Sequence, residues 1–129
     1  MKFFLTEGTL RYIVENYYRQ AEGFDGVLSI NCGVKNIGPI GRSLVGLRVA
    51  TLSFEMNGKI NLDGVDVDAK TFPEQSDIED IIKCHFEKDI GRVGKMSFDY
   101  DIDPNDRNKG KFNGVMVEAY VKQNAKGGK

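Results

Sequence analysis

The chain has 129 residues, 40% of them hydrophobic and 29% charged, with 8 Phe and 5 Tyr but no Trp. That is ordinary usage for one packed domain, and it argues against global disorder and against a fibrous repeat. A formal net charge of −1 gives no general attraction to nucleic acid or to an acidic lipid surface. The charge is nonetheless uneven: residues 71–106 hold 4 basic and 10 acidic side chains, and residues 107–129 hold 6 basic and 1 acidic. The imbalance reads first as a solvated acidic surface followed by a basic tail, with a bipolar surface that steers a partner or head-to-tail self-association as the alternative. Two cysteines do not make a disulfide framework. The apolar run Phe3-Phe4-Leu5 is too short for a secretory signal, and no run approaches the ~18 residues of a membrane span. Together these features predict a soluble protein of the reducing cytoplasm.

Residues 7–22 read as a helix, with Leu10, Ile13, Val14, Tyr17 and Ala21 at helical spacing, Thr6 as N-cap and Asp25-Gly26 as the stop. Residues 27–33 alternate as a half-buried strand, and Gly33 to Gly41 reads as a loop. Residues 47–56 place Ala50, Leu52, Phe54 and Met56 on one strand face. Asn57-Gly58 then predicts a two-residue hairpin turn, because both central positions of a type I′ turn need positive φ. Ile60 and Leu62 fall on the return strand. Val65 and Val67 are out of phase with Leu62, which predicts a bulge at Gly64.

Ser76 and Glu79 form a capping-box pattern for a second helix with Ile78, Ile81, Ile82, Phe86 and Ile90 on its apolar stripe, ended by Gly91 and Gly94. Residues 95–103 alternate Met96, Phe98, Tyr100 and Ile102 against Ser97, Asp99, Asp101 and Asp103. A polar loop from Pro104 to Lys111 leads to a last strand near 112–122, with Val115, Val117, Ala119 and Val121 on one face. The prediction is a single α+β domain over residues 1–122, with a frayed polar tail at 123–129. Its sheet is mainly antiparallel or mixed, with two helices on one face, in the order α-β-β-β-α-β-β. Residues 1–5 as an added edge strand would bring the order toward a ferredoxin-like βαββαβ pattern.

The chemical constellations are sparse. His85 is the single histidine and falls on or beside the stripe of the second helix, where a packed structural role is expected. Cys84 and His85 are adjacent on a helix and diverge by about 100°, so with Cys32 they do not make a zinc site. The EF-hand template fails on Asp99, Asp101, Asp103 and Asp106: the positions that need Gly and Glu hold Pro104 and Gly110 in one register, Asp106 and Phe112 in the next. These carboxylates read as the wet face of a strand, with a weak cation site as the alternative, shared with Asp66 and Asp68 if the strands adjoin. Residues 36–43 keep only part of the phosphate-loop pattern and precede a strand rather than a helix.

Asp68-Ala69-Lys70 before the second helix, with Asp63 or Glu55 as an earlier acid, resembles the core of the PD-(D/E)xK nucleases. The resemblance covers one tripeptide and a loose element order, and no Pro-Asp pair precedes it. It would imply Mg²⁺ held by two acids, with the lysine acting on water.

The reading that best fits these features is a non-enzymatic binding or assembly module acting through a protein partner, or through a second copy as a homo-oligomer. Its expected surfaces are the tyrosine side of the first helix, Tyr12 and Tyr18, and the acidic face of Asp99, Asp101 and Asp103. A small anionic-ligand or nucleotide site on Arg42 and Arg48, rimmed by residues 38–48 and 104–111, is the first alternative, and the nuclease is the second. No catalytic set, cofactor, structural metal, membrane contact or nucleic-acid partner is expected.

Overall fold

A computed structural model of the chain describes residues 1–38, 47–89 and 91–121. The elements run β1 (Lys2–Leu5), α1 (Glu7–Glu22), β2 (Phe24–Ile37), β3 (Leu47–Leu62), β4 (Val65–Thr71), α2 (Gln75–Glu87), β5 (Gly91–Asp103) and β6 (Asp106–Val121). The six strands are antiparallel and form two three-stranded sheets, β1-β6-β5 and β2-β3-β4. The α+β class is as expected, and residues 2–5 do add an edge strand on β6. The single sheet is not what forms, and neither is the ferredoxin-like arrangement.

Helix α1 spans the residues its periodicity marks, and the Thr6 hydroxyl accepts the Thr9 N–H at 3.3 Å as an N-cap. It stops two residues before the expected Asp25-Gly26, because Gly23 takes the left-handed conformation (φ 65°) and closes the last turn. Its buried residues are Leu10, Ile13, Val14 and Tyr18; Tyr17 is half-buried and Ala21 exposed. Helix α2 has its N-cap at Glu74, two residues before its Ser76 signal. Asp77 accepts the Glu74 N–H at 2.8 Å, so the reciprocal cap belongs to Glu74 and Asp77 rather than to Ser76 and Glu79. Ile78, Ile81 and Ile82 are buried and Phe86 is half-buried against Phe3, with ring centroids 4.9 Å apart; Ile90 lies outside the described residues. Gly91 and Gly94 belong to β5, since the helix is over by Glu87.

The largest correction concerns the central hairpin. β3 runs straight through Asn57-Gly58, which pair with Val27 and Gly26 on one side and with Lys70 and Ala69 on the other. The turn is Asp63-Gly64, with φ of 54° and 87°, the two positive angles that a type I′ turn requires. The loss of phase between Leu62 and Val65 is therefore the turn itself, not a bulge. Gly58 is glycine for another reason: a Cβ there would strike the Asp25 carbonyl oxygen and the Gly26 Cα across the ladder. The polar loop expected at 104–111 is likewise only the turn Pro104-Asn105, because β6 already begins at Asp106.

The two sheets share one core with the helices. Leu5, Val93, Val115, Val117 and Ala119 of one sheet and Phe24, Leu28, Phe54 and Met56 of the other are buried with the apolar faces of α1 and α2. Phe54 meets Phe98 edge-on at 6.0 Å between the sheets. Farther out, Gly110 of β6 abuts β2, where a Cβ would lie 2.8 Å from the Cys32 backbone. Only glycine permits that approach.

Three substitutions test these local contacts. Gly58→Ala should destabilise the fold by about 1–3 kcal/mol through overpacking. Gly8→Ala, in open space within the first turn of α1, should stabilise it by up to about 1 kcal/mol. Glu15→Ala should cost about 1–3 kcal/mol, since the Glu15 carboxylate accepts the Leu28 N–H at 2.8 Å and its removal strands that donor. Urea denaturation of each variant measures these differences.

Candidate interaction surface

The expected site residues are dispersed. Tyr12 is 66% exposed on α1, but Tyr18 is 8% exposed and belongs to the core, edge-on to Tyr17 at 5.7 Å and to Phe24 at 6.0 Å. Helical spacing puts residues six apart on different faces, so the two tyrosines do not make one surface. Burial, then the nearby Glu22 and Asp77 carboxylates, push the Tyr18 phenol above its ordinary pKa. Asp99 and Asp101 face solvent. Asp101 accepts the N–H of the next residue, Ile102, at 2.7 Å, and lies opposite Lys111 on β6. Asp103 is half-buried and accepts the Asn105 N–H at 2.8 Å, which makes it a turn residue rather than a member of an acidic face.

Arg48 is engaged structurally. Its Nε donates to Asn36 at 3.1 Å and its Nη2 to Asn108 at 2.8 Å, which ties the ends of the two sheets together. Arg42 lies outside the described residues, as does most of the 38–48 rim of the expected anion pocket. Asp66 and Asp68 stand on β4, in the other sheet from Asp99 and Asp101, and no group of three or more His, Cys, Asp or Glu is placed to share an ion among the described residues. In the nuclease-like tripeptide, Asp68 pairs with Lys59 at 2.8 Å and Lys70 approaches Glu55 at 3.8 Å, two cross-strand ion pairs on the wet face of the ribbon. Lys59 holds the Asp68 carboxyl below its ordinary pKa. His85 and Cys84 are both exposed, which corrects the expectation that His85 sits at the buried stripe. Burial and Asp101 push the half-buried Cys32 thiol up, away from a reactive thiolate.

Exposed large apolar side chains occur on both sheets, with Phe4, Met116 and Tyr120 on β1 and β6, but on the β2-β3-β4 sheet they adjoin an open strand edge. On the inner face of that sheet the rows Phe24–Ile60–Val67 and Leu62–Val65 continue outward from the core, and at the hairpin end Leu62, Val65 and Val67 are 55%, 60% and 37% exposed. At the other end β4 stops at Thr71, opposite Met56, so it pairs with Met56–Leu62 of β3 only. The remaining Leu47–Glu55 stretch has β2 on one side and no strand on the other among the described residues. A cleft of about 580 Å³ lies along this edge, between Leu52–Glu55 of β3 and the Phe72–Gln75 segment that enters α2.

Sequence reasoning missed this edge because it took Asn57-Gly58 for the turn. The available signal was the strand run on either side of Asp63-Gly64: sixteen residues in β3 against seven in β4. No helix is long and apolar enough to cross a membrane among the described residues. Comparison with protein-family models, with curated proteins and with solved structures finds no match for this chain.

The Tyr18 environment yields a pH prediction. A phenol whose folded pKa is raised contributes stability that is intact below the ordinary tyrosine pKa of about 10 and is lost as the pH climbs through the folded value. The wild type should therefore lose stability above about pH 10 more steeply than Tyr18→Phe, as denaturant midpoints between pH 8 and pH 11 will report.

Proposed function

We propose that the protein is a non-enzymatic binding module that acts by docking a protein partner on its β2-β3-β4 sheet. The single observation that supports this reading most is the aliphatic strip Leu62, Val65 and Val67, an extension of the sheet's core face out of the shared core and into solvent. An exposed patch continuous with a core is costly in water and is the kind of surface that a partner covers. The acidic-strand version of the reading is weaker, because Asp103 is committed to its turn and Asp101 to a local backbone contact. Arg48, the described half of the anion-site alternative, is already bonded to two asparagines.

A photo-reactive residue at position 65, expressed in the native cell, is expected to cross-link a partner in discrete stoichiometry. Leu62→Ser combined with Val67→Ser should lower that yield at least tenfold. Both side chains are substantially exposed, so the double variant should keep nearly all of its folding stability. A yield at position 65 no higher than at exposed Glu22, or one untouched by the serine variant, would contradict the proposal.

A further inference from the structure

We infer that the Leu47–Glu55 edge of β3 is a strand-addition site, which takes an extended segment of a partner whose side chains alternate apolar and basic. This rests on the binding-module reading and specifies how the partner is held. Opposite residues in an antiparallel ladder alternate between pairs that exchange both N–H···O bonds and pairs that exchange none. The Leu28 N–H goes to Glu15 on α1, not to β3, so Leu28 and Met56 are a non-bonded pair. The β2–β3 register runs without a shift from Phe24–Ile60 to Ile37–Leu47. Hence Glu55, Ser53, Thr51 and Val49 bond to β2, while Met56, Phe54, Leu52, Ala50 and Arg48 turn their N–H and C=O groups to the opposite edge. Met56 finds Thr71 of β4 there. For Phe54, Leu52, Ala50 and Arg48, no other main chain or side chain supplies a partner among the described residues.

This edge differs from the other strand edges among the described residues. β4 is short and carries Asp66, Asp68 and Lys70; the outer part of β5 carries three aspartates; β1 has four residues. The β2 edge is closed by Glu15 at Leu28 and approached by Gly110 at Cys32. Short length, charge and cover are the devices that stop an edge from pairing. Leu47–Glu55 has nine residues, about 30 Å of strand, with charges only at Arg48 and Glu55.

Phe72–Gln75 stands across the cleft from Leu52–Glu55 of β3. A second copy would bring its own β2 hydrogen-bonded on the far side of its β3, against that wall. A lone extended segment does not. Residues of such a segment that point inward meet Leu52 and Phe54, and those that point outward meet Glu55; Phe72 and Glu74 line the facing wall. The cleft is lined by two carboxylates, Glu74 and Glu55, the second of them 3.8 Å from Lys70 on β4, and by no basic side chain among the described residues. Backbone bonds then give affinity, and alternate side chains give selectivity.

The test uses a synthetic ten-residue peptide of alternating valine and lysine, its valine–glutamate counterpart, and the lysine peptide N-methylated at alternate amides. Calorimetric titration of the full chain should show the lysine peptide binding at least tenfold more tightly than either control. Ala50→Pro should keep the fold, because the Ala50 N–H serves the open edge rather than the ladder, yet lose the peptide at least tenfold. Equal binding of the N-methylated peptide, or undiminished binding to a folded Ala50→Pro protein, would overturn strand addition. A concentration-dependent dimer lost in Ala50→Pro would overturn it in favour of a second copy. If either result came while the Leu62/Val67 serine variant still lost its cross-link at position 65, the binding-module reading would stand alone; if that cross-link also persisted, both would fall.

Discussion

One hydrogen bond fixes much of what this molecule presents to solvent: the Glu15 carboxylate, beside the Arg11 guanidinium at 3.6 Å, accepts the main-chain N–H of Leu28. It docks α1 along one edge of β2 and satisfies a donor that would otherwise be stranded beside the core. Because strand hydrogen bonds alternate strictly, the same bond marks the parity of the β2–β3 ladder over fourteen residue pairs. One edge of the sheet is thereby closed by a helix. That parity leaves the other edge, beyond the end of β4, facing outward with its donors and acceptors in place.

Against that background the rest of the fold reads as management of exposed strand. The β1-β6-β5 sheet carries aspartates on its long outer strand, and Asp101 and Asp103 turn back on their own local backbone. The β3–β4 ribbon carries cross-strand ion pairs on its wet face, Lys59 with Asp68 and Lys70 with Glu55. Such exposed pairs contribute little to stability, but they mark that face as a poor surface for another chain. The aliphatic strip at Leu62, Val65 and Val67 and the edge at Leu47–Phe54 carry no such ion pair among the described residues.

Much of the architecture was legible in the sequence because it rests on short-range physics. Thr6 capping α1, the 3.6-residue spacing through Val14 and the two-residue alternation of Met96 to Ile102 each report local geometry directly. The errors arose where two local signals competed and a long-range contact decided between them. Asn57-Gly58 and Asp63-Gly64 both suit a type I′ turn; the first is held in the strand because Gly58 lies against Asp25 and Gly26, a contact over thirty residues away in the chain. Tyr17 and Tyr18 both lie near the helix stripe, and only the position of Phe24 and of α2 decides that Tyr18 goes inside. The candidate surface was hidden for the same reason, since a free edge is defined by where a neighbouring strand ends.

Amide hydrogen exchange of the free protein, resolved by residue along β3, tests the central claim most directly. The account predicts an alternating pattern, with Val49, Thr51 and Ser53 protected by β2 and Ala50, Leu52 and Phe54 exchanging far faster. Uniform protection across Val49–Phe54, or alternation in the opposite phase, would show that the edge is occupied or that the ladder parity read from the Leu28–Glu15 bond is wrong.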